Sequence, residues 1–298
     1  MKLDYLLTEA AKMKGTVVAV ASAEDEEVIE AVSEAIKRDL AQFILFGKRE
    51  EILDLLHSKD IMKDQVQIIQ ARTQEQATEL AVRSVYQKEA SVLMKGNVPT
   101  AKLLKAVLNK EYGLRTGRVL SHVAIFEVPG IQNLKIVTDA AMNINPDLQQ
   151  KEQIIQNAVE IARAIGIDTP KVAALAAVEV VNPSMQATLD AAALTIMNKR
   201  GQIKNCIIDG PLALDNAISL EAAEHKKIES EVAGKADVLL VPTIETGNVL
   251  YKSLIHFAKS KVGAVIAGAK APIVLTSRSD SSESKLYSLA LAIYSSQK

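Results

Sequence analysis

The sequence predicts a three-layer α/β protein on three observations. Short runs rich in Val, Ile and Ala stay apolar throughout rather than alternating, as strands covered on both faces do. Longer stretches with helical spacing separate them, which is the rhythm of parallel βαβ units. The residues that follow the runs are Asn, Asp, Gly, Pro and Ser, which build turns.

The elements follow in order. "TVVAVASA" (16–23) reads as a strand. "EDEEVIEAVSEAIKRD" (24–39) reads as a helix, with acids in its first turn and an apolar stripe of Val28, Val32, Ala35 and Ile36. Further strands are predicted at 41–47, 66–70, 91–96, 122–128 and 134–140. The helix "QKEQIIQNAVEIARAIG" (150–166) closes on Gly166. Strands then recur at 171–181, 205–210, 236–242, 262–268 and 271–277. The turn Glu127-Val128-Pro129-Gly130 is a candidate domain boundary. Ligands bind beyond the carboxyl ends of such strands. Chemistry is therefore expected at 95–100, 139–147, 179–184, 209–215, 242–248 and 277–284.

Composition narrows the function. At 298 residues, two domains are the default. Lys plus Arg (35) nearly balance Asp plus Glu (36), and aromatics are 3% with no Trp. Neither a basic surface nor stacking platforms for nucleic acid are expected. No apolar run is long enough for a membrane helix, and the charged N-terminal stretch lacks a signal-peptide core, so a cytoplasmic protein is expected.

Several chemistries lack their motif. There is no G-x-G-x-x-G, and "GAVIAGAK" (263–270) has its lysine one residue late for a P-loop. His57, His122, His225 and His256 have no metal-ligand spacing. Cys206 lies in an expected buried strand, where an inert thiol outweighs a nucleophile. No G-x-S-x-G elbow is present.

The densest polar segment is "LTSRSDSSESK" (275–285), where a strand hands over to a helix. Asp280 and Glu283 have capping-box spacing. The same helix start could bind an anion through its free N–H groups, with Arg278 supplying a bidentate fork and Ser277, Ser281 and Ser282 further donors. On these residues alone, capping and anion binding stand equal.

This segment resembles the signature that closes the phosphate acetyl/butyryltransferases, which move an acyl group between coenzyme A and phosphate. "GNVPTAKLLKAVL" (96–108), "DAAMNINPD" (139–147), "DGPLALDNAIS" (209–219) and "VAGKADVLLVPTIETGNVLYKSL" (232–254) are similar to further family segments, in the same order. The form of the signature is most like the butyryl branch. The resemblance implies two three-layer α/β/α domains like those of the isocitrate and isopropylmalate dehydrogenases, with an active site in the interdomain cleft. The expected domains are 1–132 with 278–298, and 133–277. It also implies acyl-CoA and inorganic phosphate as substrates, coenzyme A as substrate rather than resident cofactor, no metal, and a homodimer or larger assembly.

The resemblance assigns catalysis to Ser277 and Arg278; Asp280 or Glu283 is the candidate proton acceptor, or no dedicated base exists. The acetyl branch carries an aspartate six positions after the arginine, and Ser284 stands there in this chain. Substrate contacts are expected from Asn97, Thr100, Lys105, Asn143, Asn145, Asp209, Gly210, Asp215, Glu245, Gly247, Asn248, Ser281 and Ser284. Lys105 falls where the acetyl branch has arginine. Competing readings are a β-decarboxylating dehydrogenase of the same fold, which needs an aspartate cluster for a divalent metal, a non-catalytic coenzyme A or acyl-phosphate binding protein, and an acyltransferase for long-chain acyl carriers.

Overall fold

A computed structural model describes residues 2–59, 61, 65–275 and 280–296. In chain order the elements are α1 (Leu3–Ala10), β1 (Val17–Ala21), α2 (Glu26–Lys37), β2 (Gln42–Gly47), α3 (Arg49–Ser58), β3 (Val66–Gln70), α4 (Gln74–Tyr86), β4 (Val92–Lys95), α5 (Thr100–Val107), β5 (Ser121–Glu127) and β6 (Lys135–Thr138). They continue as α6 (Leu148–Ala164), β7 (Lys171–Leu175), α7 (Gln186–Lys199), β8 (Ile207–Leu212), α8 (Leu214–Ile218), α9 (Leu220–His225), β9 (Val238–Leu240), α10 (Ile244–His256), β10 (Lys261–Ala267), β11 (Ile273–Val274) and α11 (Ser282–Ser296). Each predicted strand is present, so the apolar runs located the sheets.

The chain forms two compact units, residues 3–118 with 263–296 and residues 119–262. The crossings at 118/119 and 262/263 differ from the expected 132/133 and 277/278. The reason is the Glu127–Gly130 turn, which joins the antiparallel pair β5 and β6 and so lies within a unit. A connection this short cannot make a parallel crossover.

In the first unit β1, β2, β3, β4 and β11 run parallel, in the order β3-β2-β1-β4-β11. β10 pairs antiparallel beyond β11. Val18, Ala19, Val20 and Ala21 are fully buried in the central strand. α4 packs on β1 and β2, whereas α11 packs on β4 and β11 beside α1 and α2.

In the second unit the order is β5-β6-β9-β7-β8, parallel except for β5. α6 covers β5, β6 and β9, and α7 covers β7 and β8. β7 stops at Leu175 and not at 181. Val180 and Val181 are more than half exposed, so the apolar run continues past the sheet without being buried.

α6 and α7 are tied by a buried ion pair, Lys151 Nζ to Asp190 Oδ2 at 2.6 Å, and Gln186 Nε2 donates to the other carboxylate oxygen at 2.8 Å. Removing one member strands the other charge. Asp190→Leu should cost about 3–5 kcal/mol in urea denaturation, and adding Lys151→Met should recover most of it.

Candidate active site

In the first unit the carboxyl ends of β1 and β4 carry the 96–100 segment. Gly96 N donates to Ala21 O at 2.8 Å and Asn97 N to Ser22 O at 2.6 Å. A Cβ on Gly96 would overlap the Ser22 carbonyl, so glycine is required for this approach. Gln74 Nε2 donates to Asn97 O at 2.6 Å, and Asn97 Nδ2 reaches Glu24 O at 3.4 Å. Thr100 opens α5, which has no acid in its first turn.

Asn97 and Thr100 line a cavity of about 350 Å³ with Lys95, Lys285, Glu27 and Gln74. Lys285, 6% exposed, holds Glu27 Oε2 at 2.6 Å and thereby fixes the first turn of α11 to α2. Lys95 Nζ donates to Gly96 O at 3.0 Å. A wall with two ammonium groups and a helix N-terminus suits an anion, and Asp25 and Glu27 offset part of that charge. Lys105 lies on the exposed last turn of α5 and does not line this cavity.

Ser277 and Arg278 lie outside the described residues. Beyond them, the helix cap differs from the expected Asp280–Glu283 pairing. α11 starts at Ser282, and Ser281 Oγ accepts from Ser284 N at 3.1 Å while lying 2.9 Å from Ser284 Oγ. Serine and aspartate cap equally well, so composition did not choose between adjacent positions. Glu283 Oε1 lies 2.9 Å from the Tyr287 hydroxyl, which also reaches Asp4 Oδ1 at 2.5 Å. Asp280 is half-buried just before the helix.

In the second unit the 139–147 segment leaves β6 and is organised by Asp139, which is 2% exposed. Its Oδ1 accepts from Ala141 N and Met142 N at 2.9 and 3.0 Å. Its Oδ2 accepts from Asn143 N and Asn143 Nδ2 at 3.1 and 2.6 Å. Asn143 Nδ2 also donates to Leu120 O, so that amide is committed to the loop. Asn145 is exposed. Ile244 N donates to Ile144 O at 2.9 Å, which joins the segment to the start of α10, where Glu245, Gly247 and Asn248 sit.

At β8, Asp209 Oδ1 accepts from Gly210 N, and a Cβ on Gly210 would lie 2.7 Å from Ala174 O, so Gly210 serves close strand packing. Asp215, on α8, is 3.9 Å from Lys226 Nζ, and that ammonium also holds Glu179 at 3.2 Å. Cys206 is buried, and burial pushes its thiol up to about 11. It is protonated at neutral pH and is not a nucleophile. Among the described residues no group of His, Cys, Asp and Glu could hold a metal ion, and no helix is long and apolar enough to cross a membrane.

One group at this edge was not singled out from the sequence. β5 runs antiparallel to β6, so its first residues lie level with the carboxyl end of β6. His122 is there, edge-on to Tyr251 with ring centroids 5.6 Å apart, and its Nδ1 is buried with no hydrogen-bond partner. Burial pushes this imidazole below its usual value near 6.5, against the opposing pull of Asp139. No spacing rule finds such a residue, because strand direction brings it level with the carboxyl end of β6.

The two α/β units have the fold of a phosphotransacylase-type protein. A branched-chain phosphotransacylase from Enterococcus faecalis V583 superposes with a TM-score of 0.85 at 37% identity, over 94% of this chain and 99% of that one. The wider dehydrogenase-like fold appears in 4-hydroxythreonine-4-phosphate dehydrogenase from Klebsiella pneumoniae, at a TM-score of 0.56 and 12% identity, over 95% of this chain and 99% of that one. The chain belongs to the phosphate acetyl/butaryl transferase family, whose model matches residues 2–84 and 74–293. It is 59% identical to the probable phosphate butyryltransferase of Bacillus subtilis (strain 168), over 100% of this chain and 99% of that relative.

Gly247 gives a direct check on this site. A Cβ there would lie 2.7 Å from Asp139 O and 2.8 Å from Ala140 Cα, both backbone atoms. Gly247→Ala should destabilise the protein by about 1–3 kcal/mol through overpacking, measured by urea denaturation.

Proposed function

We infer that this protein is an acyltransferase that moves a short acyl group, butyryl or similar, between coenzyme A and inorganic phosphate. The observation that carries this reading is the full-length identity of 59% to a probable phosphate butyryltransferase. Acyl-CoA and phosphate are the substrates, the protein works in the cytoplasm as a homodimer or larger assembly, and no resident cofactor takes part.

Arg278 binds the phosphate and Ser277 orients the phosphate or the thiol, with Asn97, Thr100, Ser281 and Ser284 as further donors. Direct transfer fits the chain better than a covalent intermediate, since the sequence offers no convincing covalent nucleophile. The tetrahedral intermediate needs donors aimed at its oxyanion, and the arginine fork and helix N–H groups are of that kind. Ser284 stands where acetyl-branch relatives have an aspartate, so the proton acceptor must come from elsewhere. Either Asp280 or Glu283 within the segment takes that part, or the reaction has no dedicated base.

Thiol release from butyryl-CoA on addition of phosphate tests the reading, with C2 to C8 acyl-CoA substrates to set chain length. No release with any of them would sink it, and reduction of NAD instead would favour the dehydrogenase reading. Arg278→Ala should lower kcat/KM for phosphate by about 10²-fold or more. An unchanged value would remove Arg278 from its role.

A further inference from the structure

We propose that the Lys285–Glu27 ion pair is a positioning device for phosphate. It holds the first turn of α11, with Ser281 and Ser284, in place, and so sets the affinity for phosphate without touching the anion. The proposal rests on the acyl-transfer reading and names residues that support its phosphate site.

The turn is bonded within itself. Ser281 Oγ accepts from Ser284 N at 3.1 Å, and Lys285 N donates to Ser281 O at 3.1 Å. Ser281, Ser284 and Lys285 therefore move as one piece. Further along, α11 is anchored by Leu286, Leu289, Ala290, Leu291 and Ile293, all buried. Ser281, Ser282 and Glu283 are exposed, so apolar packing does not fix this end of the helix. Tyr287 ties α11 to Asp4 on α1, but neither residue lines the cavity. Lys285 and Glu27 both line it, beside Asn97 and Thr100.

The chemistry of the pair suits positioning and not direct binding. Lys285 is 6% exposed, and its ammonium reaches from α11 to Glu27 Oε2 on α2 at 2.6 Å. The carboxylate matches that charge, so the pair adds no net charge to the cavity wall. Asp25 is engaged by its own helix, accepting from Val28 N at 3.1 Å, whereas Glu27 crosses to the other helix. A buried ion pair stabilises a fold little more than two apolar side chains of similar volume. What it adds is a fixed distance and direction between two helices, and donors to a bound anion must be held in such a geometry.

The test measures thiol release from butyryl-CoA against phosphate concentration, with urea stability alongside. It compares wild type, Lys285→Met, Glu27→Met and the double variant. Lys285→Met should raise KM for phosphate about tenfold, the loss expected when a charge-assisted hydrogen bond is misplaced. Its kcat should stay within about twofold of wild type, as for an interaction made equally before and in the transition state. Glu27→Met should shift KM the same way. The double variant should recover stability, because no charge is left stranded, yet keep the raised KM.

A wild-type KM for phosphate in the double variant overturns the proposal and leaves the pair a structural contact. A fall in kcat with KM unchanged overturns it as well. So does a lowered KM in Glu27→Met, since the freed Lys285 would then bind the anion itself. Should either single variant not fold, the double variant decides. A wild-type protein that releases thiol from no acyl-CoA removes the acyl-transfer reading, a result distinct from an active double variant with unaltered KM.

Discussion

The Asp139 carboxylate is the constraint on which the second unit's strand-end architecture depends. Four N–H groups from Ala141, Met142 and Asn143 converge on it and so restrict the conformation of the chain leaving β6. That loop then presents Ile144 O to α10 and lets Gly247 pack against its backbone. A buried carboxylate is costly unless its oxygens are satisfied, and here the loop itself satisfies them. The same group pulls electrostatically on the His122 imidazole, against the effect of burial. One residue thus shapes a loop, seats a helix and sets an electrostatic field.

The first unit solves a related problem with cations. Lys285 is almost wholly buried, which is tolerable because Glu27 accepts its charge. The bond spans α2 and the first turn of α11, far apart in sequence. The helix that follows the serine-rich segment is thereby tied to the helix that follows β1, and the 96–100 loop lies at the same cavity.

Most of the fold was legible in the sequence, because burial on both strand faces writes itself as unbroken apolar runs. Strand direction was not legible, since an apolar run reads the same in a parallel or antiparallel setting; β5 and β10 show this. The apolar 176–181 extension of β7 misled for a similar reason: hydrophobicity does not require burial. The candidate loops were legible through their turn residues and motif order. His122 was not, because its relation to Asp139 is a product of topology. Ser281 in place of Asp280 as cap is a one-position difference between residues of equal capping strength.

Cys206 has a practical and evolutionary side. A protein whose proposed substrate carries a free sulfhydryl meets the corresponding oxidised disulfides as well. The one sulfur of this chain that could form a mixed disulfide with them is enclosed and held protonated, with a pKa of about 11. An enclosed, protonated thiol is a poor partner for exchange with such disulfides. Colorimetric sulfhydryl reagents should likewise report the released product against a silent protein background.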